Sequence, residues 1–294
     1  MQKSPRAPAA PIRLAIWYGK GGVGKSTTTM LLSLLASQQG QRILTIDLDP
    51  ECGTSRDFLG SDLKHVRQNV RTFLESPIPM PPPVISSGIE GLDLVPCEPD
   101  QQRFFRYFPE HSLKLQEGLA FLPPAYRWII MDVPNQFDNI AELGLIAADW
   151  LILPVELTAD CADRVSTALR TIQEARAMNP GLRVLGALPL ASAPRAGRPR
   201  NITAKENLVY EQYADSLGAE GVELFKTIMF RSATTVEEAR SNADPRLLHW
   251  TARKRFQRLL AEIHARIKTF SLSSSPSPHE PVSHPRREKA AANR

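Results

Sequence analysis

Apolar residues along this chain gather in short unbroken runs rather than in strict alternation. Six such runs, at residues 13–18, 42–47, 92–95, 128–132, 150–154 and 183–188, read as strands buried on both faces. Helical periodicity fills most of the gaps between them. The first helix is predicted over residues 25–39, stopping at Gly40, which can take the left-handed conformation of a helix C-cap. Buried strands alternating with helices predict an α/β fold, a mostly parallel sheet with helices on both faces. The prolines between residues 77 and 83 interrupt this rhythm and are expected on the surface.

The ends of the chain lack the pattern. Residues 1–11 are expected to form a flexible tail, residues 12–270 a single domain, and residues 271–294 a disordered Ser/Pro-rich tail that turns basic at Arg286, Arg287 and Lys289. That last stretch has too few apolar residues to offset the entropy of ordering it.

Composition narrows the classes. No run of 18 apolar residues is present to span a membrane, and the first apolar run reads as a core strand rather than a signal peptide, so a cytoplasmic location is expected. Cys52, Cys97 and Cys161 lie far apart and lack the spacing of a zinc or disulfide framework. A net charge of +5 is compatible with a polyanionic partner.

The chemistry begins directly after the first strand. Gly19, Gly24, Lys25 and Ser26 satisfy the spacing G-x-x-x-x-G-K-[ST] between a strand and a helix. Glycines let successive N–H groups turn toward one anion, and the helix start adds its positive dipole end. Gly19, Lys20, Gly21, Gly22, Val23, Gly24, Lys25, Ser26 and Thr27 are therefore the expected segment that binds a nucleoside triphosphate. Lys25 is expected on the β- and γ-phosphates and the Ser26 hydroxyl on Mg²⁺.

Lys20 is surplus to a generic loop of this kind. The stretch from Lys20 to Thr27, Lys-Gly-Gly-Val-Gly-Lys-Ser-Thr, resembles the deviant Walker A motif of the ParA/MinD family of ATPases. The resemblance implies a P-loop NTPase architecture, an ATP-dependent homodimer, and a catalytic role in trans for Lys20 at the partner's phosphates. Asp47-Leu-Asp49-Pro50 is similar to the family's D-x-D-P-Q segment, which implies that Asp49 orients the attacking water and Asp47 lies near the Mg²⁺ shell. Glu51 and Cys52 stand where the family commonly has Gln and Gly. The apolar run ending in Asp132 resembles a Walker B strand, implying an Mg²⁺ ligand, and Asn135 replaces the second proline of D-x-P-P. Ala148 to Pro154 is similar to the family's A-D-x-x-x-x-P strand. Ile228 to Arg231, with Glu238-Ala239, resembles a segment often close to the adenine, although Phe230 replaces its proline.

Family members turn ATP-dependent dimerisation into positioning of a cargo. Arg231, Arg253, Lys254, Arg255 and Arg258 are candidate DNA contacts that would bind phosphates without reading sequence, with Arg240, Arg246, Arg266 and Lys268 nearby and Arg195, Arg198 and Arg200 in a Pro/Gly loop. The expectation is a partition ATPase that binds DNA non-specifically, is nucleoid-associated, and relies on a ParB-like or other cargo-adaptor protein to stimulate hydrolysis. With about a dozen residues before the first strand, the short type without an N-terminal helix-turn-helix is expected.

The alternatives are a MinD-like membrane-associated positioning ATPase, using Phe256, Leu259, Leu260, Ile263, Ile267 and Phe270 as an amphipathic stripe, and a nucleotide-binding scaffold with little hydrolysis. An iron–sulfur reductase would need cysteine contexts that Cys97 and Cys161 lack. A dethiobiotin-synthetase-type ligase lacks the combination of Lys20 with Asp-x-Asp-Pro.

Overall fold

The computed structural model describes residues 10–97, 113–135, 139–192, 202–231, 239, 242, 244 and 250–273. In chain order the elements are β1 (Ile12–Ile16), α1 (Lys25–Ser37), β2 (Ile43–Asp47), α2 (Gly53–Leu59), a 3₁₀ turn (Gly60–His65), α3 (Val70–Glu75), β3 (Ile85–Ile89) and β4 (Leu92–Val95). They continue with α4 (Lys114–Ala120), β5 (Trp128–Asp132), α5 (Asn139–Ala147), β6 (Trp150–Glu156), α6 (Ala159–Ala162), α7 (Val165–Met178), β7 (Arg183–Ala191), α8 (Ala204–Gly218), β8 (Met229–Phe230) and α9 (Trp250–Ser273).

The strands form one sheet in the order β3-β4-β2-β5-β1-β6-β7-β8. Every neighbouring pair is parallel except β3 with β4, which run antiparallel. The expected α/β architecture is therefore the observed one, with two strands added. β3 has no apolar run to announce it; it is a short edge strand returning through Gly88 and Gly91, both in left-handed conformation. β8 is only two residues long and closes the opposite edge beside β7.

Apolar side chains lie on both sides of the sheet, which explains the unbroken apolar strands. Leu14 and Ile16 of β1 face α1 and α9, packing with Met30, Leu31, Phe256, Leu259, Leu260 and Ile263. Ala15 and Trp17 face the other way, into the layer built by α3, α4, α5, α7 and α8. The stripe on α9 is thus core, with Leu259 and Ile263 fully buried.

α9 is also anchored by polar groups. The Glu262 carboxylate accepts from the N–H groups of Lys226 and Thr227 and from the Thr227 hydroxyl, at 2.9, 3.1 and 2.9 Å. Arg266 pairs with it at 3.0 Å and donates to the carbonyls of Leu185 and Leu224 at 2.6 and 2.7 Å, over the ring of Phe225. Burial alone would raise the Glu262 pKa, but these donors outweigh it and hold the carboxyl below its ordinary range.

A carboxylate with a depressed folded-state pKa contributes stability above its unfolded pKa of about 4.3 and loses it as pH falls through the folded value. Glu262→Gln is accordingly expected to lower unfolding stability by about 1–2 kcal/mol at pH 7. Urea titrations at descending pH check this: the gap to the parent protein should close below about pH 4, and a pH-independent gap would refute the linkage.

Candidate nucleotide site at the strand ends

The carboxyl ends of the parallel strands converge around the segment that leaves β1, the place where open α/β sheets bind ligands. Gly22 and Gly24 have φ of 75° and 82°, so the turn into α1 uses backbone conformations that other residues enter at a cost. Gly24 is the N-cap of α1 and supplies no side-chain cap, and no acidic residue occupies the helix's first turn. The unpaired N–H groups of that turn are therefore left open to an anion. Lys25 is only 6% exposed and forms no ion pair with any described residue.

Asp47 and Asp132 end adjacent strands in direct register, with Ile16 of β1 beside Asp132 on the other side. Both carboxylates are fully buried. Asp47 is well supplied with donors: it accepts from the Ser55 N–H and hydroxyl at 2.7 and 2.6 Å and from the Asp49 N–H at 3.1 Å. Burial, then the charge of Asp132, push its pKa well above the ordinary carboxylate value. Asp132 is only half satisfied. Thr54 donates to Oδ2 at 2.7 Å, while the buried Oδ1 has no hydrogen-bond partner. Its pKa is pushed up to about 6 by burial and by Asp49, against the nearby Ser26 hydroxyl, the Lys25 charge and Thr54.

Asp49 is buried at the start of the turn into α2, where its Oδ1 accepts from the Glu51 N–H at 3.0 Å. Its carbonyl accepts from the Cys52 N–H at 2.7 Å and from the Cys97 thiol at 2.9 Å. Cys52 has φ of 52°, so the position commonly filled by glycine in the resembling family is left-handed here as well. Gly53 follows at closest approach to the loop: a Cβ there would lie 2.9 Å from the Ser26 Oγ. Among the described residues no group of three or more His, Cys, Asp or Glu side chains is arranged to hold a metal unaided.

Lys20 is turned toward acids of its own chain, Asp160 at 2.6 Å and Glu156 at 3.6 Å. Partial burial disfavours its charge, but the hydrogen bond it donates to Asp160 and the surrounding negative charge win, and the ammonium pKa lies above normal. Glu156 also binds Arg231 at 3.0 Å, and Arg231 donates to the Gly22 carbonyl at 2.6 Å. Arg164 does the same for the Gly19 carbonyl at 3.1 Å. Two arginines from distant segments thus brace the outside of the loop.

The structure brings Gly19 to Thr27, Asp47, Asp49 and Asp132 together, as the sequence suggested. It divides the cationic set. The Arg231 guanidinium is engaged at the loop rather than with the face of α9. Arg253 donates to Gln38 at 3.3 Å, Lys254 lies over Trp250, and Arg255 stacks on Phe230 at 3.9 Å. Arg258 is exposed, and Arg266 belongs to the α9 anchor. Arg195, Arg198, Arg200, Arg240 and Arg246 lie outside the described residues.

Sequence reasoning passed over Glu156, Asp160, Arg164, Thr54 and Ser55. The last two follow Asp49 closely and, as hydroxyl residues at a helix start, were legible as candidate donors. The others come from far along the chain and carry no local signal.

Fold and loop together define a protein of the P-loop nucleotide-binding class. Within that class the chain belongs to the ParA/Soj family of partition ATPases, residues 13–184 matching the family described as AAA domain (AAA_31). It is 26% identical over 249 residues to the chromosome partitioning protein ParA of Caulobacter vibrioides, covering 82% of this chain and 88% of that one. It is 30% identical over 177 residues to the chromosome-partitioning ATPase Soj of Thermus thermophilus, covering 60% and 68%. Among solved structures, cobyrinic acid a,c-diamide synthase from Mycobacterium smegmatis, with bound ATP analogue and magnesium, superposes with a TM-score of 0.65 at 26% identity, covering 83% of this chain and 97% of that one.

Removing the donor to Asp132 tests the buried acid cluster without touching the loop. Thr54→Val is expected to destabilise the nucleotide-free protein by about 1–3 kcal/mol, because Oδ2 then joins Oδ1 without a hydrogen bond. Denaturant unfolding reads this directly, and an unchanged midpoint would show that the carboxylate finds another donor.

Proposed function

We propose that this protein is an Mg²⁺-dependent ATPase switch that dimerises on ATP, binds DNA without sequence preference in that state, and positions a cargo. One arrangement carries the reading: an uncapped, acid-free helix start and an unpaired buried Lys25, set beside a buried carboxylate oxygen of Asp132 that lacks a partner. Among the described residues each of these groups lacks a partner, and a Mg²⁺–nucleotide would satisfy all of them.

The residues present fit the metal. Ser26 and Asp132 would hold Mg²⁺, Asp132 through its open Oδ1 or a water, with phosphate oxygens completing the shell. Asp47 is left out of that set, because its oxygens already accept three hydrogen bonds. Bound there, the ion would neutralise charge developing on the phosphates.

The chain's own groups do the rest. The N–H groups of the loop and Lys25 bind and orient the phosphates. Asp49 orients the attacking water, held in place by its Asx turn and by the Cys52 and Cys97 contacts to its carbonyl. Lys20 acts on a partner's phosphates only after leaving Asp160 and Glu156.

For the surface used, DNA is favoured over the membrane by the burial of the α9 stripe. Phe256, Leu259, Leu260 and Ile263 are core residues, so this part of the stripe is not available to a bilayer. Among the described residues no helix is long and apolar enough to cross a membrane. The exposed Lys254 and Arg258 remain on the outer face of α9 as phosphate contacts. The reading also includes one ATPase domain over residues 12–270 flanked by short tails, a nucleoid-associated cytoplasmic location, and a ParB-like or other adaptor protein that stimulates hydrolysis.

Phosphate release tests the chemistry. Asp49→Ala is expected to lower turnover at least tenfold while retaining ATP and accumulating dimer, and parental turnover in that variant would remove Asp49 from its role.

Gel shifts at low salt with ATP and Mg²⁺ test the partner. Binding to unrelated duplexes should be equal and should weaken roughly tenfold in a Lys254→Ala/Arg258→Ala variant, since each lost phosphate contact also flattens the salt dependence. No shift at low salt would overturn the DNA reading.

A further inference from the structure

Val133 and Pro134 carry the chain from the end of β5 across the exit of β1, where the Val133 N–H donates to the Ile16 carbonyl at 3.2 Å. The next residue, Asn135, is half-buried against the phosphate loop. Its amide Nδ2 lies 2.9 Å from where a Cβ on Gly21 would stand. Gly21 is therefore a different kind of glycine from Gly22 and Gly24. Those two have left-handed backbones, whereas Gly21 does not and is instead the residue against which the Asn135 amide packs.

The amide carries two N–H donors and a carbonyl acceptor. It makes no hydrogen bond to any described residue. The charges around it are already assigned: Lys25 is buried and unpaired, and Asp49 and Asp132 form the acidic side. A second acid here would repel a phosphate, and a further cation would be drawn to Asp132. A neutral amide adds a donor to the site and disturbs neither balance. In the D-x-P-P segment that this stretch resembles, a proline at this position offers no donor, so the amide is an addition made by this chain.

We propose that Asn135 is a specificity-determining residue that recognises the terminal phosphate, its amide N–H donating to a γ-phosphate oxygen of the bound triphosphate. The proposal rests on the reading of the loop as an ATP site. It assigns Asn135 to the difference between triphosphate and diphosphate, because the loop N–H groups and Lys25 serve both.

Calorimetric titration of the full chain with a non-hydrolysable ATP analogue and with ADP, each with Mg²⁺, tests it. Asn135→Ala is expected to bind the analogue about tenfold more weakly while keeping the parental ADP affinity, the loss typical of one hydrogen bond to a charged group. Asn135→Asp should lose more of the analogue affinity than Asn135→Ala, through repulsion. Retained ADP binding shows in the same experiment that each variant is folded.

A second pair of variants separates packing from recognition. Gly21→Ala should displace the amide and so weaken the triphosphate as Asn135→Ala does, with ADP affinity kept. Adding Asn135→Ala should then cost the triphosphate nothing further.

The inference is overturned if Asn135→Ala weakens both nucleotides equally or neither. Should the parent protein bind neither nucleotide, or Lys25→Ala leave binding intact, the ATP-site reading falls and this inference with it. Should Lys25→Ala abolish binding while Asn135→Ala leaves the ratio unchanged, the role of Asn135 alone is lost.

Discussion

Asp47 and Asp132 end adjacent parallel strands in register, both out of contact with water, and two carboxylates so placed oppose each other's ionisation. The surrounding structure follows from how that opposition is met. Donors must arrive from close by, and α2 delivers them as consecutive residues, Thr54 to Asp132 and Ser55 to Asp47. For α2 to start at that point the chain must turn sharply after Asp49, which puts Cys52 in a left-handed conformation. It must also press against Ser26, which Gly53 allows. The loop, the second acidic segment and α2 are therefore one mechanical unit, although three separate stretches of sequence build it.

The two carboxylates come out of this arrangement unequal. Asp47 has three donors, on both of its oxygens, and so holds the turn that carries Asp49. Asp132 has one donor, on Oδ2, and a buried Oδ1 without a hydrogen-bond partner, while Ser26 and Lys25 lie close enough to favour its charge. A buried oxygen without a partner raises the free energy of the nucleotide-free protein. That unmet demand favours a ligand that brings positive charge, as the proposed metal–nucleotide would.

Much of this was legible in the sequence, for identifiable reasons. The loop obeys a local spacing rule, and six of the parallel-paired strands are apolar runs because both their faces are covered. β3 escaped because Ile-Ser-Ser-Gly-Ile lacks an apolar run and an edge strand needs none. The basic residues misled in one respect: Arg231 and Arg266 share their charge with Lys254 and Arg258, but the first braces the Gly22 carbonyl and the second stacks on Phe225 and ties α9 to β7. Charge along a sequence does not distinguish a cation facing solvent from one capping carbonyls, since the partners are backbone atoms tens to hundreds of residues away. Glu156, Asp160 and Arg164 were missed for the same reason.

The position of Lys20 bears on how such a switch stays off. Its ammonium is surrounded by Asp160, Glu156 and, through Glu156, Arg231, so the charge that the family resemblance assigns to a partner's phosphates is neutralised within its own subunit. Asp160 is exposed, and a pair of that kind is screened by salt and held weakly. A triphosphate offers several concentrated negative charges in a site with less water, and so outcompetes two carboxylates at a solvent edge. The exchange also frees Glu156 to bind Arg231 alone, and that arginine holds the Gly22 carbonyl. In the dimer proposed above, withdrawal of Lys20 toward a partner would therefore be felt at the loop of the subunit it leaves, through Glu156 and Arg231.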